Sequence, residues 1–160
     1  MPVTLYIFFS IACLCLIVWY FFATIVSTVG RSVSCALLFL TTLTLFFALY
    51  FSFKALYENK AELKNQNLET DVRLVVGLVQ NGLAEFATWA FLASLINLDI
   101  VLVNDAGFGV RNTGTVILLC VALDVIIWTI IDNFVLQKYT QYVLTPYLVL
   151  LVALIGILQR

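Results

Sequence analysis

Residues 74–103 read LVVGLVQNGLAEFATWAFLASLINLDIVLV. A transmembrane helix needs about 20 mostly apolar residues, and this stretch meets that length while carrying several polar groups well inside it. At 100° per residue Asn81, Glu85 and Thr88 fall within about 60° of arc, with Gly77 on the same edge and Trp89 beside them. Ionisable residues at bilayer depth are costly unless they face a bundle interior or a wet cavity. The stretch therefore reads as a membrane-spanning helix with one polar stripe turned inward.

The rest of the chain agrees. Its 160 residues are 64% hydrophobic and 11% charged, with a mean hydropathy of +1.11, against roughly 25% charged in ordinary soluble domains. A soluble fold would have to expose apolar patches of a size that drives aggregation. The expected fold class is all-α, an integral membrane bundle in a single domain. Spans are expected at residues 3–28, 33–57, 74–103, 113–136 and 142–158, five helices in all. Pro146 suits a helix's first turn, which makes Thr145 a candidate N-cap of the last one. The first apolar run is too long for a signal peptide and has no basic residue before it, so it reads as a retained helix.

Residues 58–73 mix both charge signs at helical spacing and read as a solvated helix extension and loop. The short segment from Asn104 to Asn112, with Gly107 and Gly109 around Phe108, reads as a tight turn or an interfacial dip. Asn97, Asp99, Asp132 and Asn133 lie toward helix ends, where capping or headgroup contact is expected. With five spans, Lys54, Lys60, Lys64, Arg73 and Lys138 share the N-terminal side and Arg31, Arg111 and Arg160 the other. The positive-inside rule then places the N-terminus in the cytoplasm.

Several function classes drop out on composition. A net charge of −1 supplies no basic field for nucleic acid. The chain has no histidine, which removes imidazole ligation and His general-base catalysis. Cys13, Cys15, Cys35 and Cys120 fall inside apolar runs and read as small hydrophobes. With no nucleophile–base set and no metal set, neither an enzyme nor a cofactor is expected.

A second polar stripe runs along the fourth span, where Asp124, Trp128 and Asp132 follow at i, i+4 and i+8. A short loop makes the third and fourth spans an antiparallel pair, which would bring Glu85 and Asp124 to similar depth. If they touch, they would titrate as a coupled pair. Such a pair could bind a cation, carry a proton, accept a ligand's hydrogen bonds, or clasp two helices. Asn81, Glu85, Thr88, Trp89, Asp124 and Trp128 are the candidate ligand-binding residues. Three functions follow: an inter-helix cavity that binds or moves a small hydrophobic or cationic ligand, an accessory subunit in a homodimer or larger membrane complex, and a proton or cation pathway.

The run Val79-Gln80-Asn81-Gly82-Leu83-Ala84-Glu85-Phe86-Ala87-Thr88-Trp89, continued in Ala93 to Leu98, resembles an animal multi-pass membrane family with the pattern N-G-L-x-x-Y-A-T-W. Trp128 to Phe134, Lys138-Tyr139 and Thr145-Pro146-Tyr147 are similar to that family's closing helices. The family is in turn distantly similar to the tryptophan-rich sensory or translocator protein group. That resemblance, which covers residues 79–153, implies a five-span helical bundle and a hydrophobic ligand. Glu85 stands where the pattern has an apolar or aromatic residue.

Overall fold

In the computed structural model of the protein, which describes residues 2–130 and 143–158, every regular element is a helix. In chain order these are α1 (Val3–Ala23), α2 (Thr28–Asn65), α3 (Glu69–Leu74), a π-helical segment (Val75–Gln80), α4 (Asn81–Asn104), α5 (Val110–Ile130) and α6 (Thr145–Leu158). Among the described residues, four apolar helical stretches are long enough to cross a membrane: Val3–Ala23, Thr28–Asn59, Glu69–Asn104 and Val110–Ile130. The chain thus has the build of an integral, multi-pass membrane protein. The expected fifth span begins at residue 142, outside the described residues. Its described part, α6, has 14 residues and rises roughly 21 Å at 1.5 Å per residue, short of a hydrocarbon core of about 30 Å.

The first expected span overran its helix. Apolar Ile25 and Val26 continue the hydropathy signal, but the chain turns there, and Val26 is 92% exposed. Ser27 starts α2 as its N-cap: its Oγ accepts the Gly30 amide at 3.0 Å, satisfying a donor that has no carbonyl in the first turn. The turn closes tightly on Gly30, where a Cβ would lie 2.5 Å from the Ile25 carbonyl oxygen.

The second and third spans extend well beyond their expected limits. α2 has 38 residues and rises roughly 57 Å, so its polar end continues past any bilayer core. It stops at Asn67, whose φ of 59° is the left-handed turn that ends many helices, and the Leu68 amide reaches back to the Leu63 carbonyl at 3.0 Å. α3, the π segment and α4 then return as one continuous helical rod. Exposed pairs Lys54–Glu58 and Arg73–Glu69, at 3.9 and 4.0 Å, decorate the hairpin's polar end; exposed i,i+4 pairs of this kind contribute a few tenths of a kcal/mol.

The core sits between α2 and α4. Ser34, Leu38, Thr41, Leu45, Ala48 and Ser52 recur at alternating steps of four and three residues and are all essentially buried. That is the 3.5-residue spacing of two helices packing at a shallow crossing angle. The facing side of α4 supplies Ala84, Ala87, Ala90 and Ser94, also buried. Between helices in lipid there is no hydrophobic driving force, and close packing of small residues with interhelical hydrogen bonds takes its place. Thr42 and Ser94 share a hydrogen bond of 3.1 Å, and Ser34 donates to Asn97 at 3.3 Å. α1 lies against this pair, with Phe8 stacked on Phe47 and Phe51 at 5.3 and 5.6 Å.

The seam ends in an ionic latch. Arg31 near the start of α2 pairs with Asp105 just past the end of α4, its Nε donating to both carboxylate oxygens at 3.2 and 3.0 Å. Thr28 donates to the same carboxylate at 3.0 Å. The turn that follows relies on Gly107 at φ +71°, which lets the Phe108 amide bond back to the Leu102 carbonyl at 3.1 Å. The segment expected as a turn or dip is therefore a turn, and Asp105 is tied into the bundle.

Candidate functional site: two pockets beside a loosely held helix

α5 departs from this close packing. Only 6% of its most apolar window is buried, against 50% for α2. It runs antiparallel to α4 as expected, but α4 gives its small-residue face to α2 and meets α5 along another side. Between α4, α5 and α6 lies an open groove of about 830 Å3. Trp89, Leu92 and Ile96 form its α4 wall, Val121, Ala122 and Val125 its α5 wall, and Leu150 and Leu154 its α6 wall. Among the described residues no charged side chain lines it. Ligand pockets of about 300–1,000 Å3 with mostly apolar walls suit small organic molecules.

A second, much smaller pocket of about 20 Å3 lies against α2, next to the groove, with Leu150 common to both. Thr88, Asp124 and Trp128 bring its polar groups, and Phe46, Leu49 and Phe91 are among its apolar walls. The Thr88 hydroxyl donates to the Ala84 carbonyl at 2.8 Å, while the buried indole N–H of Trp128 has no acceptor among the described residues.

The six candidate residues therefore separate into four places. Thr88, Asp124 and Trp128 come together at the small pocket, and Trp89 lines the groove. Glu85 is exposed, lines neither pocket, and shares no hydrogen bond or ion pair with Asp124. The reason is geometric: Ala84 and Ala87 turn to α2, which swings Glu85 away from the buried face. It lies one turn, about 6 Å, from Asn81.

Asn81 anchors α6. Its side-chain oxygen accepts the amides of Leu144 and Thr145 at 3.0 and 3.3 Å, and its backbone carbonyl accepts the Thr145 hydroxyl at 2.7 Å. The first turn of α6 is thus capped from another helix, with Asn81 in the capping role expected of Thr145. The Asn81 side-chain amide also donates to the Val76 carbonyl at 2.9 Å, inside the π segment. One asparagine thereby closes the wide π turn and fixes the start of α6. Asp132, Asn133, Lys138, Tyr139 and Tyr142 lie outside the described residues.

The seam itself carries polar groups that the stripe reasoning passed over. Gln80 is fully buried and neither side-chain atom has a partner among the described residues. The Ser52 hydroxyl is likewise buried and unpartnered among the described residues; the antiparallel register set by Thr42–Ser94 puts it opposite Ala84, about one turn from Gln80. The sequence signal was present in the heptad spacing from Ser34 to Ser52, but small hydroxyls in an apolar run barely lower its hydropathy. Compared with known protein families, curated proteins and solved structures, the chain matches none of them.

Proposed function

We propose that the chain is a non-enzymatic, five-span membrane protein that takes a small hydrophobic ligand from the bilayer into the groove between α4, α5 and α6. The observation that carries this reading is the groove itself: about 830 Å3, walled by aliphatic side chains and Trp89, with one wall formed by a helix that is little buried. A ligand would move in laterally as α5 gives way. The apolar side chains that line it among the described residues favour an apolar ligand over a cationic one. The N-terminus lies in the cytoplasm on the balance of Lys and Arg, and the resemblance to translocator-like bundles points to the same class of ligand.

The exposure of α5 supports a second reading, an accessory subunit whose groove receives a helix of another chain or of a second copy. Native mass spectrometry of the protein released from nanodiscs separates the two. Ala122→Trp should fill the groove, and the expected result is at least a tenfold loss of retained lipid or added apolar probe with the monomer unchanged. A change of oligomeric state with no retained small molecule in either protein would favour the subunit. Equal retention in both proteins would remove the groove as a binding site.

A further inference from the structure

We infer that Thr88, Asp124 and Trp128 hold one ordered water molecule that ties α5 to α4 within the membrane. The small pocket has the right size. Its volume of about 20 Å3 exceeds the roughly 10–15 Å3 that one water requires and is far below that of an organic ligand.

The hydrogen-bonding inventory is also complementary to water. Trp128 offers a donor only, buried and unpartnered among the described residues. Thr88 has committed its proton to the Ala84 carbonyl, so its oxygen is left to accept. Asp124 has no hydrogen-bond or ion-pair partner among the described residues. A water oxygen accepts from the indole, and its two protons go to the Asp124 carboxyl and the Thr88 oxygen. That makes three bonds, the usual number for a buried water.

A bare cation does not suit the same groups. Hard cations gather six or more oxygens, whereas this pocket offers one carboxyl and one hydroxyl, and the indole N–H turns its positive end inward. Phe46, Leu49, Ala84, Phe91, Pro146 and Leu150 complete the lining among the described residues, and none of them brings a polar side chain. The water would sit between α4 and α5 beside the apolar contacts that join them, and its presence does not depend on whether the adjoining groove holds a ligand.

The test uses the full chain with 15N-labelled indoles in bicelles. Three tryptophans give three indole signals, and Trp128→Phe identifies the one concerned. The expected result is a rotating-frame Overhauser cross-peak between the Trp128 indole proton and a long-lived water. Asp124→Asn, which keeps an acceptor, should retain the peak. Asp124→Leu should abolish it and move the indole proton upfield. Should Asp124→Leu fail to fold, Thr88→Val serves in its place, with a weakened peak expected. No water peak on Trp128 in the unsubstituted protein would overturn the inference, as would a peak that survives both Asp124→Leu and Thr88→Val.

Discussion

The α2–α4 seam and the α4–α5 contact are built from the same apolar alphabet but have opposite character. In the seam, Ala84, Ala87 and Ser94 let two backbones approach closely, and Thr42–Ser94, Ser34–Asn97 and Arg31–Asp105 hydrogen bonds fix the register along its length. Along α5, Leu118, Leu119, Leu123, Ile126 and Ile127 remain exposed, and an open groove, which Leu118 and Ile126 help to line, replaces the interdigitated layer. In lipid, apolar surface on its own does not bring helices together. What separates the two regions is small residues and matched polar pairs, and α5 has fewer of both.

The largest test of this contrast is to add the same bulk to each region. Ala87 is 1% exposed and faces α2, so Ala87→Leu must push the helices apart or force strained rotamers, at a cost of about 1–3 kcal/mol. Ala122→Leu on the groove wall should change stability by less than about 0.5 kcal/mol, as surface substitutions usually do. Unfolding in mixed micelles by graded denaturing detergent reads both. Equal effects would mean that α5 is packed as closely as the seam.

A smaller effect is expected where the two regions are joined. Asn81 belongs to the rod that packs on α2, yet its side chain caps α6, which forms a wall of the groove. Asn81→Ala removes the acceptor for the Leu144 and Thr145 amides, and loss of a helix cap costs about 1 kcal/mol. The loss should fall on α6: amide exchange at its first turn should quicken severalfold, while α2 amides near Leu45 keep their protection. Uniform acceleration would show that Asn81 supports the whole bundle through the π turn rather than one helix.

Much of this was legible in the sequence, and the failures have physical causes. Hydropathy found the apolar runs because burial in lipid needs bulk apolar content, but it placed the α1–α2 turn inside the first run because Ile25 and Val26 are apolar in a turn set by Ser27 and Gly30. Helical periodicity grouped Asp124 with Trp128, which do share a pocket. It also grouped Glu85 with Asn81 and Thr88, and there it misled: an arc of 60° spans the boundary between a buried face and an exposed one, and only the packing of Ala84 and Ala87 on α2 decides where that boundary falls. The seam escaped because it is made of serine, threonine and alanine. Hydroxyls such as those of Thr41 and Thr44 return their protons to carbonyls four residues back, so they behave as small packing residues and leave no polar signature.

The smallest effect belongs to the end of the seam, where Arg31 meets Asp105 at the rim of the bundle. The hydrogen bond from Arg31 is the main reason the Asp105 carboxyl sits below the usual carboxylate range, with Thr28 adding to it against the cost of partial burial. A carboxyl held lower in the folded state than in the unfolded one stabilises the fold above its unfolded value, near 3.9, and that contribution disappears as pH falls through the lower folded value. Stability should therefore be insensitive to this pair between pH 7 and 5 and decline below about pH 4. Asp105→Asn should flatten that acid limb while leaving Thr42–Ser94 in place, so the variant begins slightly less stable at neutral pH and converges on the parent in acid. A parallel decline in the two proteins would show that the latch contributes nothing to register, and that the small-residue face of α4 alone accounts for the difference between the seam and α5.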